Sequence, residues 1–119
     1  MLFKNIFGAD IEFFKTDEHE IVGEFLSEWV KLERTISKLA SQYRSDLTVT
    51  GQKLPPPSIA FKGLTGMKII SEKISRDIDY FRVIRNKLVH GKIEGNEIKS
   101  DYPHKIQDIT KIILNLAKD

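Results

Sequence analysis

The sequence contains no cysteine and no long hydrophobic run. Without cysteine there is no disulfide, no thiolate nucleophile and no cysteine-ligated zinc or iron–sulfur cluster. The apolar runs are only a few residues long, which predicts no transmembrane helix. The N-terminus has neither the continuous apolar segment nor the small-residue cleavage site of a signal peptide. We therefore expect a soluble, cytoplasmic protein.

Neither sign of charge dominates, because 19 Lys and Arg stand against 17 Asp and Glu, a formal net charge of +2. This imbalance is too small to indicate nucleic-acid binding by itself. The distribution is uneven, however: residues 1–59 have a net charge of −2, and residues 60–119 have a net charge of +4. If the protein binds a polyanion, we expect the C-terminal half to do so.

The 119 residues, of which 40% are hydrophobic, suffice for one folded domain of ordinary size. Apolar residues recur at helical spacing through most of the sequence, and no stretch shows the sustained alternation of a strand. These patterns predict an all-α fold in which residues 16–119 form a single helical domain.

The first strong helical pattern follows Thr16 and Asp17, either of which is a good N-cap residue. Acidic residues in the next turn favour the same start, because they complement the helix dipole. The apolar pattern continues to Leu47. Gly23 lies inside it and indicates a close crossing with another helix.

The segment Thr48–Pro57 is the clearest predicted loop, because it ends in three successive prolines, Pro55 to Pro57. The triplet favours a rigid connection between helices over a polyproline ligand for a partner domain. The helical pattern resumes at Leu64, and a break is expected near Ser75, which can cap a new helix. Gly91 is expected to end that helix.

The C-terminal part begins with a turn and ends in a helix. Gly95 and Asn96 predict a turn, either in a small hairpin or in an extended loop. A last helix is expected from Asp101 or Tyr102, with Pro103 at its first position.

The N-terminal segment 1–15 is heavily apolar. It is expected to pack on the domain or on a partner rather than to lie on a membrane. An interfacial anchor usually has more basic residues than the two lysines, Lys4 and Lys15, that this segment offers.

The common catalytic and metal-binding motifs are absent, including phosphate-binding glycine loops, the nucleophile elbow and the paired histidines of zinc proteases. Two of the three histidines, His19 and His104, fall in the first turns of predicted helices and are expected to be solvated. No metal and no cofactor are implied. His90 differs because of its neighbours.

The segment 81–91 ends the third predicted helix. Asn86 and His90 are four residues apart and share a face with Val83, opposite the apolar stripe that faces the core. A valine beside two polar residues on such a face predicts a second covered surface, either a dimer interface or a cleft. Arg85 lies about 140° round the helix from His90. A two-fold axis would therefore make a composite site possible.

Arginine and histidine together suit one reaction class, the cleavage of RNA by its own 2′-hydroxyl. This reaction needs an acid or base with a pKa near 7, which histidine supplies, and a cation that stabilises the phosphorane, which arginine supplies. A structural role is the alternative, because basic residues near the end of a helix also complement its dipole.

The string Arg85-Asn86-Lys87-Leu88-Val89-His90-Gly91 resembles the Arg-x4-6-His motif of the HEPN superfamily, which comprises small all-α domains of RNA-cleaving toxins and defence proteins. The polar residue after the arginine, the apolar pair before the histidine and the glycine after it all match. The resemblance implies an antiparallel bundle of about four to five helices with a long first helix pair. It also implies a homodimer whose two motifs face each other across a cleft.

Carried over by position, the resemblance implies that Arg85 and His90 form a catalytic pair supported by Asn86. Lys87, Lys92 and Arg82 are candidates for binding RNA phosphates. Val83, Asn86 and His90 are the candidates for the dimer interface. The expected activity is that of a metal-independent endoribonuclease, with an antitoxin or regulatory protein as a further partner.

Two other functions stay open at this point. One is a non-catalytic helical module that binds nucleotide, RNA or a protein partner, in which Arg85 is ion-paired and His90 only complements the helix dipole. The other is a membrane-surface protein anchored by residues 1–14.

Overall fold

The computed structural model describes residues 9–43 and 54–117, with side chains from residue 18 onward. This part of the chain forms four α-helices and no strand: α1 (Ala9–Tyr43), α2 (Pro57–Gly66), α3 (Glu72–Val89) and α4 (Tyr102–Asn115). A single 3-10 turn, Gly95–Glu97, lies between α3 and α4. The prediction of an all-α helical bundle is confirmed.

Helix α1 begins earlier than the sequence predicts. It starts at Ala9, so Thr16 and Asp17 lie inside it, and so does the expected boundary between residues 15 and 16. Thr and Asp inside a helix cost well under about 1 kcal/mol each, so a good capping residue does not force a helix to begin. Residues 1–8 and the predicted continuation to Leu47 lie outside the described residues.

Helix α4 runs beside α1 in the same direction. The rings of Phe25 and Tyr102 lie 6.3 Å apart at one end. At the other end the Tyr43 hydroxyl donates to the carbonyl of Leu116 over 3.2 Å. Between them, Gln107 Nε2 donates to the buried carboxylate of Glu28 over 3.2 Å. The long partner of α1 is therefore α4 and not α2, which has only 10 residues. The expected long first helix pair is wrong in this respect.

Helix α3 runs antiparallel to α4, since its start lies near the end of α4 and its middle near the start of α4. Ile74 lines a cavity together with Leu116, whereas the Tyr80 hydroxyl forms a hydrogen bond with the Tyr102 hydroxyl. Among the described residues, sixteen buried hydrophobic side chains from all four helices and the connections between them form the core: Phe25, Trp29, Leu32, Ile36, Leu39, Ala40, Ala60, Leu64, Ile70, Ile78, Phe81, Ile98, Tyr102, Ile106, Ile109 and Ile113.

The break between α2 and α3 lies before the predicted one. Ser71, rather than Ser75, caps α3, and its hydroxyl accepts a hydrogen bond from the backbone N–H of Ile74 over 3.2 Å. Ser75 is buried inside α3, where its hydroxyl lies 3.1 Å from that of Thr65. The chain turns at Lys68, which has a φ of 60°. A lysine in the left-handed conformation gives no signal in a sequence, because glycine is the usual residue there.

Two other helix starts and one position inside a helix show how proline and glycine act in this chain. Pro57 is the first residue of α2, so the proline triplet leads directly into a helix. The last helix begins at Tyr102, as predicted, but Pro103 is its second residue and not its first. The expected close crossing at Gly23 is wrong, because a Cβ atom added there would meet nothing within 4 Å.

The turn at residues 95 and 96 is neither the hairpin nor the extended loop that the sequence left open, but the 3-10 turn Gly95–Glu97. It lies against α1, since a Cβ atom at Gly95 would come within 3.0 Å of Val22. No helix among the described residues is both long enough and apolar enough to cross a membrane.

Candidate functional site

The end of α3 carries the predicted motif and closes with a Schellman arrangement. The backbone N–H of Gly91 donates to the carbonyl of Leu88 over 3.1 Å, and that of Lys92 donates to the carbonyl of Lys87 over 2.7 Å. Gly91 has a φ of 70°, a conformation that glycine adopts without steric cost. The prediction that Gly91 ends this helix is confirmed. As a result, His90 occupies the C-cap position with an exposed side chain.

Arg85 is half-buried, and its Nη1 donates to Asn86 Oδ1 over 3.0 Å. Among the described residues, no carboxylate lies within 4.0 Å of its guanidinium group. Two other arginines of α3 are different. Arg76 pairs with Glu72 at 2.8 Å, and Arg82 pairs with Asp79 at 2.9 Å. The Arg85 guanidinium is thus oriented by a neutral amide, and no described carboxylate balances its positive charge.

The other predicted phosphate-binding residues fall into two groups. Lys87 and Lys92 are exposed at the end of α3, and no ion pair joins either to a described residue. Arg82 donates through both Nε and Nη2 to Asp79 Oδ1, at 3.0 and 2.9 Å. Its charge is therefore balanced locally, which makes it a weaker candidate for phosphate than the two lysines.

Two valines near the end of α3 are exposed. Val83 is 43% exposed, and Val89 is 55% exposed, near Asn86 and His90 along the helix. Val83 belongs to the face that the sequence predicts to be covered, whereas Val89 lies about 120° round the helix from Val83. Two exposed valines on one helix provide apolar surface for contact with another chain.

Arg85 and His90 do not meet on one side of their own helix. Regular helix geometry separates five residues by about 7.5 Å along the axis and about 140° around it. Asn86 and His90 lie one turn apart on the same side of the helix, and the backbone N–H of His90 donates to the backbone carbonyl of Asn86 over 3.0 Å. The other two histidines are exposed, as expected, and His104 Nε2 lies 3.7 Å from Asp108 Oδ2.

A groove between α3 and α4 was missed by the sequence analysis. Its volume is about 540 Å³, and it includes Tyr80 and Tyr102 but not Arg85, Asn86 or His90. The two tyrosine hydroxyls lie 2.8 Å apart. The hydrogen bond with Tyr80, together with burial, raises the pKa of Tyr102 to about 12. Both tyrosines come from helical positions separated by 22 residues, so no local pattern in the sequence pairs them.

The chemistry available at the end of α3 is that of cations and an imidazole. Among the described residues, no three His, Asp or Glu side chains group together in a way that would hold a metal ion. The chain matches no protein-family model, no curated protein and no solved structure.

Proposed function

We propose that the protein is a metal-independent endoribonuclease of the kind that the HEPN resemblance implies. The observation that supports this most is the state of Arg85, a half-buried guanidinium that is held by Asn86 and free of any described carboxylate. A structural arginine would be expected to have an acidic partner, as Arg76 and Arg82 do. An unneutralised guanidinium, in a stretch of chain that also carries the exposed lysines Lys87 and Lys92, is suited to a phosphate.

The reaction is an attack of the RNA 2′-hydroxyl oxygen on the adjacent phosphorus. His90 takes the 2′-hydroxyl proton or gives a proton to the departing 5′-oxygen, and water takes or gives the other proton, so that one proton leaves the 2′-oxygen and one reaches the 5′-oxygen. Arg85 donates hydrogen bonds to the phosphorane oxygens. The bond from phosphorus to the 5′-oxygen breaks, leaving a 2′,3′-cyclic phosphate and a 5′-hydroxyl. Asn86 orients Arg85.

The protein acts as a homodimer in this proposal. Because Arg85 and His90 point to different sides of α3, the Arg85 of one chain and the His90 of its partner would act together. The exposed Val83 and Val89 supply apolar surface for the contact. An antitoxin or another regulatory protein is a further partner in this proposal.

The test is cleavage of RNA in EDTA by the wild type, His90→Ala and the control His104→Ala. His104 is a second exposed histidine near a helix terminus, on α4. We expect His90→Ala to lose activity by a factor of about 100 to 10,000 and His104→Ala to retain it. Equal activity in the wild type and His90→Ala, or loss of activity with the chelator, contradicts the proposal.

The composite site has its own test, which mixes Arg85→Ala with His90→Ala. In a heterodimer of these variants, one of the two composite sites contains both native residues. A one-to-one mixture should then recover about a quarter of wild-type activity, because half of the dimers are mixed and each has one site. A mixture as inactive as its components contradicts the shared site.

A non-catalytic module that binds nucleotide, RNA or a protein is the second candidate. The observation that favours it is the exposure of His90 on a helix end outside the groove of 540 Å³. It predicts no cleavage by the pure protein, and a loss of stability rather than of activity in Arg85→Ala.

A further inference from the structure

The groove between α3 and α4 has the size and the lining of a binding site. Its volume of about 540 Å³ lies within the range of roughly 300–1,000 Å³ that ligand pockets occupy. Its apolar lining residues are Ile74, Phe81, Ile109 and Ile112, and its two tyrosines are Tyr80 and Tyr102. Apolar and aromatic side chains combined with polar groups that fix the orientation of a ligand are typical of small-molecule sites.

The charges that line the groove cancel. They come from Lys73, Lys99, Lys105, Asp77, Asp101 and Asp108. Lys73 pairs with Asp77 at 2.9 Å, and Lys105 pairs with Asp101 at 3.3 Å. A groove with three positive and three negative groups does not select an anion. It favours a neutral ligand with polar edges.

Tyr80 offers that ligand a rigid ring. It is 53% exposed, although its hydroxyl is bonded to Tyr102. The Tyr80 ring also stands nearly perpendicular to the rings of Phe81 and Tyr102, at 81° and 88°. A ring already held in this way loses little freedom when a flat ligand stacks on it. The hydroxyl pair uses one of its two donors, which leaves one O–H and further lone pairs for the ligand.

A nucleobase is the ligand that combines these features, being neutral, flat and polar at its edge. We propose that the groove binds one unpaired base of the RNA strand that is cleaved at the end of α3, an inference that rests on the proposed function. Tyr80 and His90 are ten residues apart, about 15 Å along the helix. Lys87 lies seven residues after Tyr80 on nearly the same face, so the RNA backbone passes Lys87 on its way to His90.

The experiment measures binding of a fluorescent, 2′-O-methylated single-stranded oligoribonucleotide, which 2′-hydroxyl attack cannot cleave. Tyr80→Ala should weaken binding about tenfold, in keeping with the loss of one stacked base. Ile112→Trp should also weaken it, because it fills the groove while leaving Tyr80 in place. The control is Leu114→Ala, an exposed residue of α4 outside the groove, which should bind like the wild type. Circular dichroism checks the fold of each variant.

Unchanged oligonucleotide binding in folded Tyr80→Ala or in folded Ile112→Trp overturns the proposal. A second arm uses adenosine, guanosine, cytidine and uridine monophosphates as free ligands. If they bind in a Tyr80-dependent manner and the oligonucleotide does not, the groove takes a free nucleotide, which also overturns it. Tyr80-dependent oligonucleotide binding in a protein whose cleavage survives His90→Ala would support the groove and contradict the proposed mechanism, so the two failures are distinguishable.

Discussion

The first part of α3 differs in the arrangement of its charges from the rest of the helix taken together with the turn that follows it. Residues 72–82 have three basic and three acidic side chains, whereas residues 83–93 have three basic and none that is acidic. In the first part every cation has an acidic partner within one turn, namely Lys73 with Asp77, Arg76 with Glu72, and Arg82 with Asp79. In the second part Arg85, Lys87 and Lys92 have no carboxylate partner among the described residues.

The two parts also differ in burial. Ser75, Ile78 and Phe81 are buried in the first part, and no residue of 83–93 is buried. Exposed ion pairs contribute little to stability, so the first part is held mainly by its apolar contacts. The unpaired cations of the second part leave a positive potential at the surface. One helix thus combines an anchored half with a half whose charge is available to a ligand.

The strongest way to sharpen this comparison is to truncate one side chain in each part. Phe81→Ala removes a ring that is 4% exposed and should lower the free energy of unfolding by about 3–5 kcal/mol. Val89→Ala, at a side chain that is 55% exposed, should change it by less than about 0.5 kcal/mol. Urea denaturation measures both. Similar losses would contradict the division of α3 into an anchored and a free part.

The end of the free part depends on Gly91. Gly91→Ala forces a side chain into the left-handed conformation and should cost about 1–2 kcal/mol, measured by thermal unfolding. We expect RNA cleavage to fall as well, because the same turn fixes the backbone of His90. Gly23→Ala is the matched control, since Gly23 lies inside a helix with open space around it. That change should raise the free energy of unfolding by up to about 1 kcal/mol. Losses of equal size at both glycines would be inconsistent with this explanation.

The opposite substitution, from a side chain to glycine, can be made at Lys68, just after the end of α2. There the Ile69 N–H donates to the Leu64 carbonyl over 3.0 Å, around a lysine with a φ of 60°. Lys68→Gly should therefore stabilise the fold by about 1 kcal/mol, as seen by a higher denaturation midpoint. A lower midpoint would show that the Lys68 side chain contributes more than its backbone strain costs.

The difference in charge pairing between residues 72–82 and 83–93 can be removed by giving Arg85 an acidic partner. Val89→Glu places a carboxylate four residues after Arg85, where the two side chains can pair. We expect RNA cleavage to fall roughly tenfold, because the new negative charge competes with the phosphate. Val89→Gln introduces a side chain of nearly the same shape as that of Val89→Glu, but without the charge. It should retain most of the RNA cleavage. Equal losses in the two variants would point to shape or dimer contact rather than to charge.

The smallest expected effect concerns the hydrogen bond between the hydroxyls of Tyr80 and Tyr102. The pKa of Tyr102 is raised from 10.0 to about 12, first by the hydrogen bond with Tyr80 and then by burial. The resulting stabilisation is complete below pH 10 and is lost as the pH rises through about 12. Tyr80→Phe should move the Tyr102 titration back toward 10 and cost about 1 kcal/mol at neutral pH. Tyrosinate absorbance measures the titration, and an unshifted midpoint would contradict this cause.

Local signals in the sequence predicted some helix ends and missed others. Gly91 and Pro103 are residues whose backbone preferences are strong, and the helix boundaries they predicted are found. Ser75 and Thr16 are capping residues whose preferences are weak, and both lie inside helices. Lys68 turns the chain against its own preference, so its turn could not be predicted from the residue type.

The candidate motif was accessible to sequence analysis because it is contiguous. Arg85, Asn86 and His90 fall within six residues, and helix periodicity places Asn86 and His90 on one face. The groove was not accessible, because Tyr80 and Tyr102 meet only when α3 packs antiparallel to α4. The use of the motif in RNA cleavage stays a prediction.

The sequence by itself determined the helical class, the glycine-capped end of α3 and the presence of unbalanced positive charge around His90. These depend on periodicity, backbone preference and composition, which act over a few residues. The tertiary structure decided that α4 rather than α2 accompanies α1, and that Tyr80 and Tyr102 form one side of a groove. These depend on contacts between distant segments, which form only when the helices bury their apolar faces together.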